Sequence, residues 1–289
     1  MATAVLPSLI TFRARRPLPG LGLSLGLGMA WLGVVVLLPL MALAVRATGL
    51  GLDGWLRAIH DERVQASLKL SFSASLIAAL VALVAGAVVA WVVVRYRFPG
   101  RRLLDALVDL PFALPTAVAG IALTAIYSAN GWVGRFSEPL GLKIAYSPIG
   151  IVIALVFIGL PFTVRTVQPV LEALGREQEE AAVSLGASRF TTLRRVILPE
   201  LLPALLTGFS LAFARALGEY GSVIFIAGNL PYKTEIAPLL ITIRLEEYDY
   251  NGAIAIAALL LAASFVCLLV ISAIPALFGH ERRRNNAHG

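Results

Sequence analysis

The sequence predicts an all-α integral membrane protein with six transmembrane helices and both termini in the cytoplasm. Of its 289 residues, 58% are hydrophobic and only 14% are charged, and the mean hydropathy is +0.85. Soluble domains carry about 25% charged residues. This composition, with a single cysteine, argues against a water-soluble enzyme, a disordered chain and a disulfide-rich secreted protein.

Long uncharged runs give the number of helices. A crossing needs about 20 mostly apolar residues, and a sixth candidate interrupts its run only with Arg215 and Glu219. Backbone polar groups must be paired inside lipid, so each crossing is predicted to be a helix. The predicted crossings are 17–45, 70–94, 110–134, 144–164, 201–232 and 250–280.

The first run is predicted to be a retained helix rather than a cleaved signal peptide. It follows Arg13, Arg15 and Arg16, as a signal core would, and it contains an Ala42-Leu43-Ala44 triplet. Its uncharged stretch nevertheless has 29 residues, against about 7–15 in a signal core.

Basic residues set the predicted orientation. The N-terminal arm, segments 95–102 and 172–198 and the tail together hold 14 of them, whereas the other three connections hold 6. Because cytoplasmic connections are enriched in Arg and Lys, the four basic segments are predicted to lie inside the cell. The predicted domains are 1–63 (arm, first helix and outer loop), 64–276 (transmembrane domain) and 277–289 (cytoplasmic tail).

One connection and one of the predicted crossings carry further signals. Residues 52–59 have the apolar spacing of a short interfacial helix, with Trp55 at headgroup depth. The third crossing opens with Pro111 and, four residues later, Pro115-Thr116, and the two prolines predict a kink. A kinked helix of this type either lines a cavity or packs against a neighbouring helix, and the sequence leaves both readings open.

Within segment 172–199, a short exposed helix with a face of small residues is predicted near residues 177–188. Glu177, Glu179 and Glu180 suit the positive end of a helix dipole. Gly186 suits a left-handed helix end, and Ser188 suits the cap of the next helix. Such a knob fits a groove on another protein, although an ordinary capped loop has the same local signals.

The chain has no evident ATP, metal or catalytic site. A phosphate-binding loop needs a Gly-Lys-Ser/Thr sequence, and none of the three lysines follows a glycine. His60, His280 and His288 lack metal-ligand spacing. We therefore expect no cofactor in this chain, no enzyme activity of its own and no nucleic-acid partner despite the net charge of +7.

The knob resembles the coupling motif of permeases from binding-protein-dependent ABC transporters. That motif reads Glu-Ala-Ala, three residues, Gly, nine residues, Ile, one residue, Leu-Pro. The chain has Glu180, Ala181, Ala182, Gly186 and Leu198-Pro199 at that spacing, with Val196 at the isoleucine position. The resemblance implies a type I ABC importer permease fold. In that fold Glu180, Ala181, Ala182 and Gly186 would contact a separate ATPase subunit that binds ATP and Mg²⁺.

A second stretch is similar to the T subunit of sulfate/thiosulfate permeases. It comprises residues 213–222, 224–229, 232–235 and 245–250, and the likeness as a whole covers about 60–275. The resemblance implies a heterodimer with a W-type permease, two cytoplasmic ATPase copies and a periplasmic sulfate-binding protein, all at the cell inner membrane. Sulfate import by alternating access would then be the function.

The anion path has four candidate residues: Arg215, Glu219, Thr116 and Arg165. Arg215 and Glu219 stand four apart in the sequence, which on a helix brings them to one face. They either pair structurally or supply a weak positive field to the path. Arg165 either snorkels or packs, or lines the same path.

Three other functions are alternatives to sulfate import. A molybdate, tungstate or other oxyanion importer belongs to the same class. A passive anion channel would not need the coupling motif, so the motif argues against this function. An intramembrane enzyme needs paired acids in a cavity, and the one pair near a span, Asp105 and Asp109, is predicted at its inner edge.

Overall fold

The computed structural model describes residues 20–285, which form helices joined by short connections and contain no strand. The described residues form two units, with the division between Gly49 and Leu50. The predicted basic arm at 13–16 lies outside the described residues, as do the side chains of the basic tail at 282–284.

The first unit is one long apolar helix with a π-helical turn. It consists of α1 (Leu21–Leu32), the π turn Gly33–Leu37 and α2 (Leu38–Thr48). The N–H of Leu38 donates to the carbonyl of Gly33, five residues back. Pro39 follows directly and has no N–H for an α-helical bond, so the wider turn accommodates the proline without ending the helix.

The second unit contains four long helices and nine short ones. The long helices are α4 (Glu62–Arg95), α9 (Pro148–Leu174), α12 (Leu198–Leu217) and α15 (Tyr250–Asn285). The short helices are α3 (Gly51–His60), α5 (Arg101–Val108), α6 (Leu110–Ala113), α7 (Thr116–Tyr127), α8 (Gly134–Ser137), α10 (Glu177–Ser184), α11 (Arg189–Thr192), α13 (Gly221–Ala227) and α14 (Ala237–Glu246). A 3-10 turn, Glu138–Leu140, and a π turn, Leu193–Ile197, complete the described helical segments.

Among residues 20–285, five helices are long and apolar enough to cross a membrane: Gly22–Thr48, Glu62–Arg95, Pro148–Leu174, Arg189–Leu217 and Tyr250–Ile271. They correspond to five of the six predicted crossings. The predicted crossing 110–134 is instead divided between α6 and α7. Leu114 is extended (ψ 135°) because the ring of Pro115 disfavours helical geometry in the residue before it.

The predicted crossing 201–232 also has different limits. Its helix begins at Arg189 and ends at Leu217, and a new helix, α13, starts at Gly221. The prediction that Arg215 and Glu219 share one helix is therefore wrong. Arg215 lies in the last turn of α12, and Glu219 lies beyond the end of that helix.

The core of the second unit is α9 packed between α4 and α12. Buried residues pair in ascending order between α4 and α9 and in descending order between α9 and α12, so α4 and α9 are parallel and α12 is antiparallel. Thr163 is fully buried where the three helices meet. A Cβ on Gly86 would lie 2.7 Å from Thr163 Cβ, and one on Gly208 would lie 2.9 Å from Thr163 Cα. These glycines allow the close backbone approach that stabilises helix pairs in lipid.

We predict that Gly208→Ala lowers the free energy of unfolding of the purified protein by about 1–3 kcal/mol, because the new methyl group overpacks the contact between α9 and α12. Unfolding followed in detergent provides the measurement.

Gly28→Ala is the matched control. It also adds a methyl group to a helical glycine, but nothing lies within 4 Å of the new Cβ. Equal stability of the two variants would contradict the importance of this helix contact.

Candidate functional site

The predicted knob is present as α10, and its ends are built by local interactions. Glu177, Glu179 and Glu180 occupy the first turn, where negative charge complements the helix dipole. At the other end, Ala187 N–H donates to the carbonyl of Ala182 at 3.0 Å and Gly186 N–H donates to Val183 at 2.9 Å. This pair of bonds is the Schellman motif, and it requires the left-handed conformation that Gly186 adopts (φ +83°).

The next helix, α11, starts with the predicted cap. Ser188 Oγ accepts a hydrogen bond from the Thr191 N–H at 3.2 Å. A π turn, Leu193–Ile197, then leads into Leu198-Pro199, and the Leu198 N–H donates to Leu193, five residues back. The same arrangement precedes Pro39, so a Leu-Pro sequence coincides with a widened turn in both described units.

The knob exposes the residues that the sequence analysis selected. Glu180, Ala181 and Gly186 are exposed, and Ala182 is half-buried. Beside them Leu185 is 89% exposed and Phe190 is 70% exposed. Exposed apolar side chains on a polar segment are typical of a surface that another protein covers. The arrangement is therefore suited to docking.

An ion pair that sequence reasoning missed ties the knob to α4. Arg95, the last residue of α4, pairs through Nη2 with Glu179 Oε1 of α10 at 2.7 Å, and its side chain is only 9% exposed. Its guanidinium also lies over the Trp91 ring, 5.7 Å from the centroid. Arg176 Nη2 donates to the Arg95 carbonyl at 2.7 Å, which satisfies one of the unpaired carbonyls at the helix end. Movement of α10 is thus tied to the end of α4.

Arg165 is fully occupied by neighbouring oxygens. Nε and Nη2 donate to the two carboxylate oxygens of Asp109 at 2.8 and 2.6 Å, and Nη1 donates to Asp105 at 2.7 Å and to Gln168 at 2.6 Å. A two-nitrogen fork on one carboxylate is a strong, directional contact. The geometry favours the packing reading of Arg165, because the cluster joins α5 and the residue after it to α9.

Arg215, Glu219 and Thr116 come together at the break between α12 and α13. Glu219 is 2% exposed. One of its oxygens pairs with Arg215 Nη1, and the other accepts from the Ser222 N–H at 2.9 Å. A Cβ on Gly221 would overlap Thr116 Oγ1 of α7. The Arg215 side chain remains 36% exposed, so an arginine anchored by a buried carboxylate is partly exposed at this break.

Two further ion-pair groups lie near the start of α4, at the end of that helix opposite to the knob. Arg63 binds Glu235 through two bonds of 2.7 Å, and Arg244 binds Asp61 at 3.0 Å. Arg244 also lies 3.4 Å from Asp249. The sequence contained no signal for these pairs, because the partners are more than 170 residues apart for Arg63 and Glu235.

We predict that Arg95→Ala and Glu179→Ala each increase hydrogen exchange in 176–188, because each change releases the knob from α4. Both remove the same contact, so the double variant should exchange no faster than the faster single variant. Hydrogen-exchange mass spectrometry of the purified chain measures this.

Glu177→Ala is the control, since it removes a carboxylate from the same turn that has no ion pair within the described residues. Additive effects of the two test substitutions, or an equal effect of Glu177→Ala, would contradict the proposed tie.

Comparison with known proteins identifies the family. The family described as "Binding-protein-dependent transport system inner membrane component" matches residues 66–284. The sulfate transport system permease protein CysT of Salmonella typhimurium is 47% identical over 94% of this chain and 99% of its own length. The CysT protein of Synechocystis is 51% identical over 84% of this chain and 85% of its own.

The fold has a solved counterpart. A bacterial ABC transporter involved in the import of the acidic polysaccharide alginate matches with a TM-score of 0.73 and 16% identity, over 88% of this chain and 94% of that one. This likeness confirms the predicted fold, a multi-pass type I ABC importer permease. With a family match across residues 66–284 and relatives about 50% identical over most of its length, the chain belongs to the inner membrane components of binding-protein-dependent transport systems.

Proposed function

We propose that this chain is a membrane-spanning subunit of an ATP-driven importer that carries sulfate, and thiosulfate with it, into the cytoplasm. One observation carries the substrate assignment: several relatives named as sulfate permeases are 46–51% identical over at least 84% of the chain. The exposed knob supports the coupling role, because a permease without its own ATP site needs a surface on which an ATPase acts.

The importer is proposed to sit in the inner membrane with both termini in the cytoplasm. The basic segments beside the ends of α4 and α10 support this orientation. The proposed complex contains a second, W-type permease, two copies of an ATPase that bind ATP and Mg²⁺, and a periplasmic sulfate-binding protein. In this complex Glu180, Ala181, Ala182 and Gly186 contact the ATPase.

Transport proceeds by alternating access. Closure of the two ATPases on ATP moves α10, and the tie between Glu179 and Arg95 passes that movement to α4. The bundle then opens towards the binding protein, and hydrolysis restores the inward-facing state. ATP must bind more tightly to the outward-open assembly than to the inward-open one for the equilibrium to shift.

The anion path is proposed to pass the break between α12 and α13. A dianion is very costly in hydrocarbon, so it needs polar partners. The accessible Arg215 guanidinium supplies positive charge there, Glu219 holds it in place and Thr116 contributes a hydroxyl. Because Glu219 cancels much of the charge, the anion is held weakly and can leave. Arg165 takes no part in this path, because its nitrogens already bind Asp105 and Asp109.

We expect labelled sulfate uptake in a strain lacking this chain to return only when the chain is restored together with its partners. Gly186→Asp should abolish that uptake while leaving the chain inserted in the membrane, because it forces a side chain into a left-handed residue on the coupling surface. A molybdate or tungstate importer would instead restore uptake of those anions and not of sulfate.

Gly141→Asp is a matched control for backbone strain. Gly141 has nearly the same φ (+79°) and nothing within 4 Å of its Cβ position, but it lies in the connection between α7 and α9. Normal uptake in Gly186→Asp at normal expression would remove the coupling assignment.

Arg215→Ala should lower sulfate uptake about tenfold per molecule of protein, if the guanidinium contributes about 1.4 kcal/mol to the rate-limiting state. Arg215→Lys should retain part of the activity, since it keeps the positive charge. Uptake and membrane abundance are measured together. Parallel losses of uptake and abundance in Arg215→Ala would identify the residue as structural instead.

A further inference from the structure

A basic cavity adjoins the end of α4 that carries the knob. It has a volume of about 620 Å³, and four of its six lining residues are arginines: Arg95, Arg97, Arg101 and Arg176. A neighbouring cavity of about 320 Å³ shares Arg97 and Arg101 and adds Arg102. No acidic residue lines either cavity.

Most of this positive charge is unpaired. Glu179 binds Arg95, and Arg176 donates to a backbone carbonyl. Arg97 and Arg102 are exposed and Arg101 is half-buried, and within the described part of the chain their guanidinium groups make no hydrogen bond or ion pair. In addition, Arg95 Nε is buried without a hydrogen-bond partner. A buried donor without a partner is costly. An anionic oxygen ligand in the cavity would accept the hydrogen bond that this donor lacks.

The aromatic residues at the cavity indicate its depth in the membrane. Tyr96 lines it, and Trp91 lies one turn earlier on α4, beneath the Arg95 guanidinium. Trp and Tyr are enriched where the hydrocarbon meets the headgroups. Orientation alone would explain basic residues on this side, but it would not bring arginines from two segments, 95–101 and 176, around one cavity.

We propose that this cavity binds the phosphate headgroup of an anionic phospholipid. Arginine forks match phosphate oxygens, and basic pockets beside membrane helices bind such headgroups. The bound headgroup would touch Arg95, the residue that ties α4 to the knob. It would therefore reinforce the connection that transmits force from the ATPase.

The test is native mass spectrometry of the chain purified in the complex that it forms in the membrane. The probes are phosphatidylglycerol and phosphatidylcholine with identical acyl chains, and inorganic phosphate alone. Wild-type protein should prefer phosphatidylglycerol. Arg97→Gln/Arg101→Gln should reduce that preference about 30-fold, at about fivefold for each arginine removed.

Arg57→Gln/Arg135→Gln is the control, because it removes the same charge from connections outside the cavity. The preference should survive in this control. An equal loss in both double variants would identify a general charge effect and overturn the site. If the wild-type protein shows no lipid preference, the proposal is also overturned. That result is expected if the ATPase, and not a lipid, covers the cavity. Phosphate alone binding as tightly as phosphatidylglycerol would overturn the lipid assignment.

Discussion

The close contact of three helices at Thr163 is the feature on which the rest of the second unit depends. Gly86 and Gly208 bring α4 and α12 against α9, and all three backbones approach where no larger residue would fit. The knob follows directly from α9 and leads into α12, while the break beside Arg215 ends α12. A close-packed junction therefore lies between the knob and the break beside Arg215.

Among residues 20–271, the two fully buried carboxylates are each paired with an arginine. Glu235 and Glu219 are each 2% exposed, and each is bound by an arginine. Leaving such a carboxylate alone would cost several kcal/mol. The pairs also join separate helices, as Arg63 does between α4 and the segment before α14. The arginines of the basic cavity beside Arg95 differ, because Arg97, Arg101 and Arg102 are not buried and have no acidic partner within the described residues.

Local features were predictable from the sequence, and non-local ones were not. The acidic first turn, Gly186 and Ser188 each act within a few residues, so the knob and its caps were predicted correctly. Counting apolar runs predicted six crossings, and five of them correspond to long apolar helices. The count placed the end of α12 too late, because a glycine break carries no charge. Asp105 and Asp109 were recognised as a pair, but their partner, Arg165, is about 60 residues away and had no sequence signal. The tie between Arg95 and Glu179 was invisible for the same reason.

The π turn at Leu193–Ile197 affects the direction in which the exposed side chains of α11 face. Such a turn holds one residue more than an α-helical turn, and each residue advances a helix by about 100°. Side chains on α11 consequently face a direction rotated by about that angle from the one that an uninterrupted α12 would give them. A single extra residue, accommodated next to Pro199, thus sets the direction in which the side chains of α11 face.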